Sequence, residues 1–207
     1  MLNRDYKIFR EGCYYHVYNR GNGRSTIYHD SSDYEQFLKR CKLVLGMRTS
    51  APLDARGRSL RIQSFEKDTF SVLAYCLMPN HFHFLIRQNT EISVDRFVTK
   101  LCTSYAAYYN KKYNHVGHIF QDAFKAKLVD SDEYVTYLSA YVHNNPTNAL
   151  EYPYSSFPDY VGDRAGTLCD KATVLAYFND SAGDYRNFVL GYNEQYEAKI
   201  SHLLFDE

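Results

Sequence analysis

The strict alternation of residues 81–88, His-Phe-His-Phe-Leu-Ile-Arg-Gln, constrains this chain more than any other feature. Successive side chains of a strand point to opposite faces, so His81, His83 and Leu85 share one face and Phe82, Phe84 and Ile86 the other. The Phe/Phe/Ile face is the core face, which leaves two imidazoles projecting together from the opposite one. Residues 69–77 (TFSVLAYCL) read as a buried strand, and Met78-Pro79-Asn80 breaks the run. A hairpin is the natural connection.

The rest of the chain alternates strands with helices. Tyr14–Asn19 is rich in β-formers and ends at the turn cluster Arg20-Gly21-Asn22-Gly23. Asp30-Ser31-Ser32-Asp33 offers an N-cap to a helix carrying Tyr34, Phe37, Leu38, Cys41 and Leu45, running to about Met47. Residues 48–68, with Pro, Gly and five basic residues, predict a long exposed loop. Ser93–Tyr113 has the apolar spacing of an amphipathic helix, Val94, Phe97, Val98, Leu101, Tyr105, Tyr108 and Tyr109. From Gly117 a loop leads into a strand holding Lys125 and Lys127. Asp130-Ser131-Asp132 then caps a helix from Glu133 to about Asn144, closed by Asn145-Pro146. The order β–α–β–β–α–β–α predicts an α+β fold, a ferredoxin-like antiparallel sheet with helices packed on one face. Residues 1–150 form one domain in this reading. Residues 151–207 form an irregular and helical C-terminal appendage with a helix near Lys171–Phe178.

Net charge is zero but unevenly spread. Residues 1–127 hold 20 Lys and Arg against 11 Asp and Glu, a balance of +9, and residues 128–207 hold 4 against 13, a balance of −9. The basic part can attract phosphate backbones, although two solvated surfaces would give the same asymmetry. Five scattered cysteines without a C-x-x-C pair argue against a disulfide framework and a cysteine zinc site. With no membrane-spanning run and no signal peptide in the first residues, the expectation is a cytoplasmic protein.

His81 and His83 can reach one divalent ion and leave open positions on it, which phosphoryl-transfer chemistry requires. The spacing alone also fits a chance pair of histidines or a cupin-like metal site. Tyr141 and Asn145 are four residues apart, on adjacent turns of one helix face. A phenol there can attack a phosphate, and the Asn145 amide oxygen can serve as a third metal ligand. The same stripe also reads as core, and 21 tyrosines leave the choice open on physical grounds.

Several blocks in order resolve that choice. Tyr75–Ile86 (YCLMPNHFHFLI) resembles the signature of HUH single-tyrosine transposases, in which U is a hydrophobic residue, and is closest to the REP-associated tyrosine transposases. The resemblance extends to residues 15–21 (YHVYNRG), 117–121 (GHIFQ), 141–146 (YVHNNP) and 154–156 (YSS), over about residues 12–160. It implies that residues 1–150 are the catalytic domain and that His81, His83 and Asn145 hold Mg²⁺ or Mn²⁺. It also implies that Tyr141 attacks a DNA phosphate and becomes linked to the 5′ end, leaving a 3′-OH that can later rejoin. The partner is single-stranded or hairpin DNA, with monomer and homodimer both open. Relatives often carry an arginine after the G-x-x-x-Q block, where this chain reads Asp122-Ala123-Phe124. That phosphate contact is either missing or supplied by Lys125 and Lys127. Further DNA contacts are expected from Lys111 and Lys112, next to a tyrosine stripe, and from Arg56, Arg58 and Arg61 in the long loop. The rival readings are a domesticated, non-catalytic DNA-hairpin-binding protein and an unrelated metalloenzyme using the two histidines.

Overall fold

The structure, a computed structural model, describes residues 8–47 and 62–204. Strands β1 (Tyr14–Arg20), β2 (Phe70–Met78), β3 (His81–Gln88) and β4 (Lys125–Val129) form one antiparallel sheet in the order β2-β3-β1-β4. Helix α1 (Ser31–Val44) links β1 to β2, and α2 (Val94–Tyr113) links β3 to β4. This is the expected ferredoxin-like sheet. Pro79 and Asn80 close the hairpin, with Met78 paired to His81. Of the predicted long loop, residues 48–61 lie outside the described residues, and Arg56, Arg58 and Arg61 with them; residues 62–69 carry no helix or strand.

Helices α1 and α2 cover one face of the sheet. Phe82, Phe84 and Ile86 of β3 and Val17 of β1 pack there against Phe37, Cys41 and Val44 of α1 and Phe97, Leu101 and Tyr105 of α2. Burying each of these large apolar side chains contributes about 1.5–3 kcal/mol relative to leaving it in water. Asp30 caps α1 by accepting from the Asp33 amide.

The opposite face is covered too, which the expectation of helices on one face did not include. Helix α3 (Asp132–Asn144) packs Val135, Leu138 and Val142 against Leu73, Cys76 and Leu85 of the sheet. The tail helices α4 (Phe157–Val161), α5 (Lys171–Leu175) and α6 (Ala182–Leu190) complete this second core with Phe157, Tyr160, Val174, Tyr185 and Val189, and α7 (Glu194–Lys199) lies outside it, stacking Tyr196 on Tyr137 of α3. The reason lies in β2 and β3 themselves. Leu73, Cys76 and Leu85 make their second face apolar as well, so it cannot be left to water.

Two polar links fix how α3 sits. His143, fully buried, bonds Ser156 Oγ at 2.7 Å through Nε2 and Tyr185 OH at 2.7 Å through Nδ1. The Asn144 amide donates to the carbonyls of Ala140 and Val189, at 3.1 and 2.7 Å. The end of α3 is therefore held to the tail at a set rotation, which decides where Tyr141 points. Among the described residues no helix is long and apolar enough to cross a membrane.

Candidate active site

Three strands and one helix bring the site together. On β3, His83 is fully buried and His81 half-buried, with ring centroids 5.1 Å apart and planes at 90°. Tyr18 of β1 pairs with His83 and Arg20 with His81, so both lie on the histidine face. Lys125 and Lys127 of β4 pair with Tyr18 and His16, which puts both lysines on that face at the sheet edge. From α3, the Tyr141 ring stands edge-on to His83 and His16, at centroid distances of 5.7 and 6.0 Å. One turn later, Asn145 Oδ1 lies 3.1 Å from His81 Nε2.

Proton placement around His81 says what this pocket suits. Its Nδ1 donates to Asn80 Oδ1 at 2.6 Å, since an amide oxygen can only accept. A neutral ring then has a lone pair on Nε2, facing the lone pairs of Asn145 Oδ1. Two acceptors at this distance repel each other unless a proton or a metal cation lies between them. Adjacent ligands of an octahedral Mg²⁺, each at about 2.1 Å, are themselves about 3 Å apart. The His81–Asn145 pair therefore fits a shared divalent ion, and His83 stands beside it on the same face. Among the described residues no three His, Cys, Asp or Glu side chains form a metal cage. A set of two imidazoles and one amide would leave positions open on such an ion for a substrate oxygen.

Burial sets the protonation of the inner histidines. His83 is held well below the ordinary imidazole value by burial first, then by His16, His81 and the charge of Arg20. Burial pushes His16 down to about 4 and His143 to about 3. Both rings are thus neutral in the fold and take up protons more readily when unfolded. Their contribution to stability is complete above pH 6.5 and is lost as pH falls toward 4 for His16 and 3 for His143. For His16 alone the loss is on the order of 3 kcal/mol. Urea melts of metal-free protein at pH 7, 5.5 and 4.5 will show a falling midpoint, and a midpoint constant over that range would refute the assignment.

The structure thus gathers His81, His83, Asn145, Tyr141, Lys125 and Lys127 around one point of the sheet. Lys125 also lines a pocket of about 120 Å³ with Tyr18, Arg20, Gln121 and Asp122. Lys111 and Lys112 lie at the end of α2, in the layer across the sheet, and are not brought to the site. The Lys112 ammonium is 2.7 Å from both Asp30 and Asp33. Tyr137, one turn before Tyr141, faces the tail: its hydroxyl bonds Lys199 Nζ at 2.8 Å and its ring stacks on Tyr196. Sequence reasoning missed two members. Arg20 faces the site opposite His81, and His16 bonds His83 Nδ1 through its own Nε2 at 2.9 Å. Both stand in the quoted YHVYNRG block, but only the register of β1 against β3 shows which face they occupy.

Comparison with known proteins bears on the family and the fold. The sequence model of the family described as "Transposase IS200 like" matches residues 10–145. Among solved structures, a REP-associated tyrosine transposase bound to a REP hairpin is similar at 13% identity with a TM-score of 0.56, covering 82% of this chain and 94% of that one. A candidate transposase from Deinococcus radiodurans R1 matches at 14% identity and a TM-score of 0.40, covering 70% of this chain and 96% of that one. No curated protein matches. The first of these likenesses shows a shared fold.

Proposed function

We propose that this chain, which belongs to the IS200-like transposase family, is a DNA transposase that cuts and rejoins single-stranded DNA through a 5′-phosphotyrosine on Tyr141. The observation that carries this reading is the meeting of Tyr141, His81, His83 and Asn145 within one chain. Because all four come from one chain, catalysis on this reading would not require a homodimer.

Tyr141 supplies the nucleophile. Its phenol oxygen bonds to the phosphorus, the bond from phosphorus to the 3′ oxygen breaks, the phenol proton is lost, and the 3′ oxygen leaves with a proton as a hydroxyl. Reversal by a 3′-OH rejoins DNA without ATP, because the ester bond is conserved. His81, His83 and Asn145 would hold Mg²⁺ or Mn²⁺, which when bound polarises the phosphate and stabilises charge on the leaving oxygen. Arg20, Lys125 and Lys127, on the same face, would position the DNA backbone. Arg56, Arg58 and Arg61 would add contacts to a folded stem. Lys111 and Lys112 would engage only DNA that wraps to the far layer, and Lys112 would first have to leave its two aspartates. The REP hairpin bound to the matched transposase supports hairpin-bearing single strands as the substrate class. Five free thiols suit a reducing cytoplasm.

Incubation with Mn²⁺ and hairpin-flanked single strands will yield a covalent protein–DNA adduct, with binding that weakens steeply as salt rises. Salt-insensitive binding, or equal affinity for blunt duplex, would contradict the proposed DNA surface. Hairpin binding without any adduct would favour a domesticated binding protein.

A further inference from the structure

The geometry points to His16 as a positioning residue that, anchored on the Leu203 carbonyl, fixes His83 in the tautomer whose Nε2 is free of a proton. This rests on the metal-dependent reading above.

The argument follows one chain of hydrogen bonds. His16 Nδ1 lies 2.5 Å from the Leu203 carbonyl oxygen, which can only accept, so that nitrogen carries a proton. His16 is fully buried, and the partners of its two ring nitrogens are a carbonyl oxygen and a second imidazole. Neither is an anion that would stabilise a buried imidazolium, so the ring has one proton, on Nδ1, and Nε2 has a lone pair. His83 Nδ1, 2.9 Å away, must therefore be the donor. With its one proton on Nδ1, neutral His83 has its lone pair on Nε2, across the ring from His16. Asn80 does the same for His81, taking its Nδ1 proton through the side-chain oxygen. Two different devices thus orient the two histidines alike. One is a turn residue beside His81, and the other is a relay that begins in the C-terminal tail. Without such partners an imidazole divides its proton between two nitrogens and its ring between two orientations, which weakens it as a ligand.

The test combines a spectrum and a titration on the full chain. In metal-free protein labelled with ¹⁵N-histidine, the His83 ring will show a protonated Nδ1 and an unprotonated Nε2. His16→Leu removes the acceptor at similar volume and will weaken Mn²⁺ binding, measured by electron paramagnetic resonance, about 10- to 100-fold. His16→Gln restores an acceptor near the Nε2 position and will recover most of that loss, which a merely space-filling role would not explain. A His83 ring protonated at Nε2 in the wild-type protein overturns the inference even if His16→Leu fails to fold. So does a folded His16→Leu protein that binds Mn²⁺ as tightly as wild type. Wild-type protein that binds no Mn²⁺ would instead sink the metal-dependent reading, while the spectrum still decides the tautomer.

Discussion

Tyr141→Phe will fold, bind Mn²⁺ and retain hairpin DNA, yet form no covalent adduct and cut at a rate lower by about four or more orders of magnitude, the scale of losing a nucleophile. Phenylalanine keeps the ring that stands edge-on to His16 and His83 and deletes only the hydroxyl. The matched control is Tyr137→Phe. That hydroxyl is held by Lys199, and its ring is stacked on Tyr196 of the tail, so its loss will leave adduct formation near the wild-type rate. Mass spectrometry of the trapped complex checks both, and DNA found on any tyrosine other than Tyr141 removes the assignment.

Losses comparable in size are expected from the histidines. His81→Ala and His83→Ala will each weaken Mn²⁺ binding by about 100-fold or more and bring cutting close to the level seen in EDTA. DNA binding will persist, because Arg20, Lys125 and Lys127 stay in place on the sheet. The two variants differ in stability. His83 is fully buried and bonded to His16, so Ala there leaves a cavity and deprives His16 of its donor. His81 is half-buried, so its loss will perturb the melting temperature less. Cutting that continues undiminished in EDTA would rule out a metal role for either residue.

The parts of this molecule that declare themselves in sequence are those whose signals are local. The alternation at 81–88 places both histidines on one face, and the observed β3 has those bounds. The cap at Ser131 and the stop at Asn145-Pro146 frame α3 within a residue, and spacing along it puts Tyr141 beside Asn145. What escaped depends on pairings between distant segments. In β1 aromatic residues alternate onto both faces, Tyr14 and Tyr18 on one and Tyr15 on the other, so nothing local says where His16 points. Its contact with His83 spans 67 residues. Lys112 looked available as a DNA contact because its aspartate partners, at the cap and in the first turn of α1, lie 82 and 79 residues away. Of the tail helices, α5 stands where the sequence predicts a helix, near Lys171–Phe178, and the others escaped for another reason. Runs of 5 to 9 residues are too short for a helical period to stand out, and packing against α3 and the sheet holds them.

The bond from His16 to Leu203 joins residues 187 positions apart, and that distance orders events during synthesis. When a ribosome has made the sheet, Tyr141 and Asn145, the nascent chain already has the nucleophile and the metal-holding residues proposed above. It still lacks the carbonyl that sets the His16 proton. The chain therefore gains its last contact beneath the site only after the tail has emerged and docked across α3. A half-made polypeptide, growing close to nucleic acid, would carry the parts of a nuclease before they are tuned to act as one.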